Sequence, residues 1–329
     1  MSFIAVLTNI ALLGVAIFFL VQGTSLMIRS LNRISRSTNV ELFVLTGFFS
    51  AVATSMPELF VSVSSALSGN QNMALGVVLG SNIANVTFVA GTVAILGGGI
   101  SVVGDFVKRD VLKAFGVVVF PLIWLIDGGL SRLDGVLLIL AFLVYHITVF
   151  QNKHKYHHHL KSKPFVNIGK WIHSFDAGYQ KMQIGWFVVG LMLLLFASDV
   201  IVQVGTDLAT ELGIPVLIVG LFFVALGTSL PEVAFEIKAI RNKQFGVVLG
   251  DLLGSLVANS TLILGVTSLI SPITVFSSEM TYFNSAMVFL LGFFLLWSFM
   301  KSKLRVSPLE GAVLIGVYFL FLVLEVGVI

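Results

Sequence analysis

The feature that most constrains this chain is a pair of polar motifs inside otherwise apolar sequence between residues 40 and 91. Residues 54–58 read Thr-Ser-Met-Pro-Glu, and residues 80–85 read Gly-Ser-Asn-Ile-Ala-Asn. Both motifs return within residues 214–265, as Thr-Ser-Leu-Pro-Glu and Gly-Ser-Leu-Val-Ala-Asn, each displaced by the 174 positions that separate 58 from 232. The chain therefore contains an internal repeat, and the repeat carries its polar chemistry.

The sequence around these motifs is too apolar for a soluble domain. Of 329 residues, 57% are apolar and 11% are charged, and the mean hydropathy is +1.04. A helix needs about 20 apolar residues to cross the hydrocarbon core of a bilayer. Ten such spans are predicted, five in each half of the chain, at about 4–28, 40–67, 73–99, 111–126, 134–151, 183–206, 214–239, 246–270, 280–300 and 309–328.

The basic residues predict how these spans are oriented. Eighteen of the 19 Lys and Arg residues fall in loops that follow odd-numbered helices, and only Arg132 lies on the other side. Basic residues in short loops stay in the cytoplasm, so both termini are predicted outside. Helices 2 and 7 then enter the membrane from opposite sides. Inverted repeats with interrupted helices at the bilayer midplane are typical of secondary transporters.

The predicted fold class is therefore an all-α membrane protein, with ten transmembrane helices arranged as two inverted five-helix repeats. Broken helices 2 and 7 are predicted to form its core. The first repeat is expected over residues 1–151, a cytoplasmic linker over 152–182, and the second repeat over 183–329. The basic residues in the cytoplasmic loops account for the net charge of +3. The charge is therefore no reason to expect a nucleic-acid partner.

At the centre of each repeat, a proline directly precedes an acidic residue. Pro57 and Pro231 each remove a backbone donor inside a helix, which frees carbonyl groups. The next residue is Glu58 or Glu232, and burying an acid at a helix centre in a bilayer costs at least about 2.5 kcal/mol. No Lys or Arg lies at comparable depth, so the expected partner is a proton or a bound metal cation.

The polar side chains near the two glutamates carry only hydroxyl or amide groups. They are Thr54, Ser55, Ser81 and Asn85 in the first repeat, and Thr228, Ser229, Ser255 and Asn259 in the second. Hard cations such as Ca²⁺ and Na⁺ prefer such oxygen ligands. Gly76, Gly80, Gly250 and Gly254 are interpreted as close-packing positions.

The sequence does not assign a role to three other acidic residues. Glu236 lies one turn beyond Glu232 and suits either an acid at the cytoplasmic mouth or a surface residue. Asp251 stands where the first repeat has Val77, and Asp199 lies within the sixth span.

At these motifs the chain resembles the sodium/calcium exchangers of the Ca²⁺/cation antiporter superfamily, over essentially its full length. The resemblance implies one Ca²⁺ held by the glutamates Glu58 and Glu232 and by the main-chain carbonyls of Thr54 and Thr228. It further implies flanking Na⁺ sites that use the same glutamates, together with Ser55, Ser229, Ser81 and Ser255 and the carbonyls of Ala51 and Ala225. Helices 1 and 6 would slide across this core.

The chain also departs from the family pattern. Ala53 replaces a usual Gly, Asp251 replaces a usual Asn, and Asn259 stands where prokaryotic relatives carry Asp. The loss of that acid lowers the formal negative charge of the site by one, which leaves the stoichiometry open.

The favoured hypothesis is a Ca²⁺/Na⁺ antiporter in the cell membrane that works by alternating access, with Ca²⁺, Na⁺ or H⁺ as transported partners. One alternative is proton-coupled exchange of Ca²⁺ or another divalent cation, although the Gly-Asn-x-x-Glu sequence of that branch is absent. Another is a cation-binding membrane sensor or channel without exchange. No enzyme motif is present in the spans, so we expect neither enzymatic activity nor a cofactor.

Overall fold

The computed structural model describes residues 3–37, 52–102, 110–126, 128–156, 177–274 and 280–326. The linker predicted at 152–182 and the first part of helix 2 lie largely outside these residues. The described part is almost entirely helical. Its helices are α1 (Phe3–Ser37), α2 (Met56–Leu67), α3 (Gln71–Leu96), α4 (Leu112–Ile126), α5 (Arg132–Tyr156), α6 (Ala177–Leu212), α7 (Val216–Arg241), α8 (Phe245–Ile270), α9 (Met280–Lys303) and α10 (Pro308–Val326).

Among the described residues, four two-residue strands lie next to helix ends: β1 (Ile100–Ser101), β2 (Gly129–Leu130), β3 (Ile273–Thr274) and β4 (Arg305–Val306). β1 pairs antiparallel with β4, and β2 pairs antiparallel with β3. These pairings place the end of α3 beside the end of α9, and the end of α4 beside the end of α8.

The strand pairs reveal the relative direction of the two repeats. Because α4 crosses the bundle between β1 and β2, the two small sheets lie at opposite ends of the molecule. α3 therefore ends at one sheet, and its repeat counterpart α8 ends at the other. The two copies run in opposite directions, which confirms the inverted arrangement predicted from the basic residues.

Burial separates central from peripheral helices. Within its most apolar window, α3 is 94% buried and α8 is 83% buried, whereas α1 is 33% and α5 is 22% buried. Eight helices in the described part are long and apolar enough to cross a membrane, and α2 and α4 are shorter apolar helices. The apolar outer faces of α1, α5, α6, α9 and α10 suit contact with lipid.

Glycine pairs bring peripheral helices close to the central ones. A Cβ on Gly91 of α3 would lie 2.5 Å from the carbonyl oxygen of Gly311 of α10. A Cβ on Gly135 of α5 would lie 2.7 Å from the carbonyl oxygen of Gly265 of α8. Shifting Gly91 by 174 positions gives Gly265, so the same kind of helix contact forms twice, each time between one repeat and the other. Small residues at such crossings let backbones approach closely.

Two helices are at least ten residues longer than the sequence predicted. α1 and α6 were expected at 4–28 and 183–206 but span Phe3–Ser37 and Ala177–Leu212. They pack against each other, and a Cβ on Gly23 would lie 2.9 Å from the carbonyl oxygen of Gly190. Polar residues at their ends continue the helices beyond the apolar core, where a hydropathy pattern gives no signal.

Candidate ion-binding site

Both predicted helix breaks are present. Residues 52–54 are helical, Ser55 is a turn, and α2 starts at Met56 with Pro57 in its first turn. In α7 the helix is interrupted at Ser229, and the next segment again carries a proline in its first turn. A proline is tolerated at the first turn because the backbone donor it lacks would have no partner there. Each break therefore sets one glutamate at the start of a new helical segment.

At the second motif of each repeat, the α-helix changes to a wider π-helix. π-Helical segments occupy Asn85–Val89 in α3 and Ala258–Ile263 in α8, at equivalent positions of the two repeats. Such segments are frequent at functional sites. Here they begin at or beside the repeated asparagines, Asn85 and Asn259.

The two glutamates are the buried centre of the site. Glu58 is 0% exposed and Glu232 is 1% exposed. The Ser55 hydroxyl donates to Oε1 of Glu232 at 3.3 Å, and the Ser229 hydroxyl donates to Oε1 of Glu58 at 3.4 Å. Each serine thus contacts the carboxylate of the other repeat, so neither repeat completes the site alone.

Hydroxyl groups from α3 and α8 extend this cross-repeat arrangement. The Ser81 hydroxyl donates to Oε1 of Glu58 at 3.4 Å and lies 3.4 Å from the hydroxyl of Thr228. In the other half, the Thr54 hydroxyl lies 3.4 Å from that of Ser255, and Ser255 neighbours the Glu232 carboxylate. The structure therefore brings six predicted hydroxyl groups together around the two acids.

Part of this oxygen-rich centre is left without protein partners. Oε2 of Glu58 and Oε2 of Glu232 are buried and accept no hydrogen bond. No Lys or Arg is among the buried residues of the described part, so no internal salt bridge compensates the two acids there. Buried carboxylates normally require paired or hydrogen-bonded partners. The arrangement can satisfy these oxygens by binding cations.

The repeated asparagines lie at the edge of this centre. Asn85 neighbours the Glu232 carboxylate, and both of its amide atoms are buried without a hydrogen-bond partner. Asn259 donates through Nδ2 to Oδ1 of Asn82 at 3.2 Å, and its own Oδ1 is buried without a partner. One buried amide oxygen from each repeat is thus available to a ligand.

A polar contact that the sequence analysis missed holds Asn259. Asn82 accepts from Asn259 and donates through Nδ2 to Oγ of Ser260 at 2.7 Å. The repeat counterparts of Asn82 and Ser260 are Leu256 and Val86, so a search for repeated residues could not find them. A polar side chain inside an apolar helix was the available signal.

The predicted backbone ligands are only partly described. The carbonyl oxygen of Ala225 accepts from the backbone N–H of Ser229 at 3.0 Å and from the hydroxyl of Thr228 at 3.0 Å. An ion at this oxygen would compete with the Thr228 hydroxyl. Ala51 lies outside the described residues. The carbonyl roles of Thr54 and Thr228 stay predictions.

The three acids left open by the sequence fall into two groups. Glu236 is buried at 1% exposure, so the surface alternative for this residue is wrong. Asp251 is also buried, and Oδ1 accepts from the Thr54 hydroxyl at 3.3 Å. Asp199 instead lies exposed on α6, where it accepts from Gln203 at 2.9 Å, and does not join the site.

Comparison with known proteins assigns this architecture to a family. The model of the sodium/calcium exchanger proteins matches residues 8–151 and 182–327. The chain belongs to the sodium/calcium exchanger family. This membership confirms the resemblance that the two motifs predicted.

Individual relatives of this exchanger family member are distant and cover 80–97% of its length. The sodium/calcium exchanger MaX1 of Methanosarcina acetivorans is 28% identical over 346 residues, covering 96% of this chain and 97% of its own. The inner membrane protein YrbG of Escherichia coli is 26% identical over 266 residues, covering 80% of each. A solved structure of the sodium-calcium exchanger NCX_Mj, soaked with Na⁺ and Sr²⁺, is 25% identical with a TM-score of 0.65, and the match covers 97% of this chain and 98% of that one.

Proposed function

We propose that the chain exchanges Ca²⁺ for Na⁺ across a membrane, at a single centre built from Glu58 and Glu232. The observation that carries the proposal is the reciprocal contact in which a serine of each repeat reaches the buried carboxylate of the other. Both carboxylates keep a buried oxygen without a protein partner. The metal ions are the transported substrates, and no resident cofactor is involved.

The spacing of the oxygens favours Ca²⁺ over Mg²⁺. Neighbouring side-chain oxygens in this centre lie 3.3–3.4 Å apart. Ca²⁺ binds oxygen at 2.3–2.6 Å, so ligands at right angles around it are about 3.3–3.7 Å apart, whereas Mg²⁺ at 2.0–2.1 Å requires about 2.8–3.0 Å. These side chains therefore stand at distances that suit the larger ion without compression.

Charge balance favours exchange over joint transport. Two ionised glutamates compensate one Ca²⁺ or two Na⁺. Both kinds of ion together would leave uncompensated positive charge in a centre that lies inside the apolar region, where unpaired charge is costly. Occupation by one ion therefore disfavours the other. A site that holds Ca²⁺ and Na⁺ in turn, and that is reached from the two sides in turn, performs antiport.

The paired helices α1 and α6 are the elements proposed to alternate access. They pack along each other outside the central helices, and their backbones approach closely at Gly23 and Gly190. Small residues at a helix crossing let the two backbones approach closely, which favours movement of α1 and α6 as one unit. We infer that the pair slides across the breaks in α2 and α7, while α2, α3, α7 and α8 hold the ions.

The orientation of the chain completes the proposal. The end of the bundle that holds the β1–β4 sheet also carries the basic residues Lys301, Lys303 and Arg305. By the distribution of basic residues, this end faces the cytoplasm and both termini face outside. The plasma membrane is the proposed location, where an inward Na⁺ gradient would drive Ca²⁺ out.

The test is uptake of ⁴⁵Ca²⁺ by proteoliposomes that contain the full chain. Vesicles loaded with Na⁺ and diluted into Na⁺-free buffer should take up Ca²⁺, and vesicles loaded with K⁺ should not. A separate arm imposes a pH gradient without Na⁺. Uptake driven by the pH gradient alone would replace Na⁺ with H⁺ as the coupling ion, and uptake without any gradient of either ion would indicate a channel.

A further inference from the structure

The second repeat carries a pair of buried acids that the first repeat lacks. Glu236 on α7 is 1% exposed and Asp251 on α8 is 0% exposed, and the two carboxylates are electrostatic neighbours. The repeat shift places Ser62 and Val77 at the corresponding positions of the first repeat. The pair is therefore not required by the fold, because the same framework forms without it.

The acid pair adjoins the central site. Oδ1 of Asp251 accepts from the Thr54 hydroxyl at 3.3 Å, and the same hydroxyl lies 3.4 Å from that of Ser255. Glu236 lies one helical turn from Glu232 and is its electrostatic neighbour. Thr54 and Glu232 are thus shared between the pair and the centre.

The surroundings of Glu236 are separate evidence that a ligand binds here. Its Oε2 is buried and has no hydrogen-bond partner, although it lies inside a packed helical bundle. No Lys or Arg is buried in the described part to receive it. A carboxylate oxygen buried in this way is unfavourable unless it gains a proton or a cation.

We propose that Glu236 and Asp251, with the hydroxyl of Thr54, form a second binding position for a hard metal cation, Na⁺ or Ca²⁺. Carboxylate and hydroxyl oxygens are the ligands that such ions prefer. This position rests on the proposed function, since it shares Thr54 and Glu232 with the central site. It adds two acids to the two of the centre, which allows an ion to remain bound here while the centre is occupied.

The position has a defined place along the ion pathway. Glu236 follows Glu232 along α7, and Asp251 precedes Ser255 along α8, so both lie between the centre and the loop that joins the two helices. That loop lies at the same end as the β1–β4 sheet, because α8 ends at the opposite sheet. Ions that pass between the centre and the proposed cytoplasmic side therefore meet this position, and ions on the other side meet Ser62 and Val77 instead.

The experiment counts bound ions on the purified full-length chain by equilibrium dialysis with ⁴⁵Ca²⁺ and, separately, with ²²Na⁺. The variant Glu236→Ser with Asp251→Val copies the first repeat and is expected to fold. It should lose one bound cation per chain in at least one of the two titrations and keep Ca²⁺ at the centre. The control Asp199→Asn removes an acid of α6 outside the site and should bind as the wild type does.

Other outcomes separate this position from the proposed function. Equal cation counts in the wild type and the double variant would overturn the second position, while the central site stands. A wild-type chain that binds neither ion would overturn both proposals. If the double variant melts well below the wild type, Glu236→Gln alone is counted, and it should weaken the second cation at least tenfold.

Discussion

Substitution of Gly80 by alanine tests whether helix packing sets the geometry of the ion site. Gly80 precedes Ser81 on α3 and faces α7, the helix that carries Thr228 and Glu232. A Cβ at this position would lie 2.2 Å from the carbonyl oxygen of Leu221. Real Cβ contacts are rarely below 3.0 Å, so α3 and α7 must separate locally by at least about 0.8 Å, the difference between these two distances.

That displacement is large for an ion site. Ca²⁺ accepts oxygen ligands only between 2.3 and 2.6 Å, and a misplacement of about 1 Å can reduce an enzyme's rate by about 100-fold. Taking that figure as a guide, we expect Gly80→Ala to reduce kcat/KM for Na⁺-driven Ca²⁺ uptake by about 100-fold. Overpacking should also lower the free energy of unfolding by about 1–3 kcal/mol.

The assay is ⁴⁵Ca²⁺ uptake by proteoliposomes, together with thermal melting of the detergent-purified variant. Gly116→Ala is the matched control, because nothing lies within 4 Å of a Cβ at that α4 glycine. It should transport normally and melt at or above the wild-type temperature, since alanine is a better helix former than glycine. A folded Gly80→Ala chain with wild-type uptake would refute the link between this contact and the site.

Further substitutions test other parts of the account. Glu58→Gln and Glu232→Gln should each abolish Ca²⁺ transport, because each removes a negative charge that the ion needs. Neither should lower the melting temperature, because each also removes one of two buried carboxylates that repel each other. Wild-type Ca²⁺ flux in either variant would refute the proposed site. Asn259→Asp adds a carboxylate to the centre and should change the Na⁺ Hill slope of Ca²⁺ flux, and superimposable Na⁺ curves would show that this residue does not face the ions. Ser307→Ala removes a hydroxyl that accepts from the backbone N–H of Glu310 at 3.3 Å, so the free energy of unfolding should fall by about 1 kcal/mol, whereas an unchanged unfolding curve would contradict a capping role. A cysteine at Ser68, in a chain without native cysteine, should react with a membrane-impermeant thiol reagent from outside only, and labelling from the cytoplasm would reverse the proposed orientation.

The repeated motifs predicted the centre of the structure well, because a proline and a buried acid constrain a helix wherever it packs. The breaks before Pro57 and Pro231 and the burial of Glu58 and Glu232 all follow from the residues themselves. The inverted direction followed from basic residues in the loops.

Other features depend on how helices rotate about their axes, which spacing alone does not specify. The sequence placed Ser55 in the same motif as Glu58 and did not indicate which carboxylate the serine contacts; the Ser55 hydroxyl reaches Glu232 of the other repeat. It left the position of Glu236 open between a site at the cytoplasmic mouth and the surface, and in the packed bundle Glu236 is buried. It also missed Asn82, whose role depends on a contact with Asn259 of the other repeat. Such cross-repeat contacts become visible only when the two halves are packed together.

The most direct test of the central claim is an experimental structure with ions bound. Crystals of the full chain soaked in Sr²⁺, a substitute for Ca²⁺ with strong anomalous scattering, should show a peak among Glu58, Glu232, Thr54 and Thr228. The peak should disappear when Na⁺ is raised in the soak. The absence of a Sr²⁺ peak at the two glutamates, or a peak there that persists at saturating Na⁺, would contradict a shared site that binds the two ions in turn.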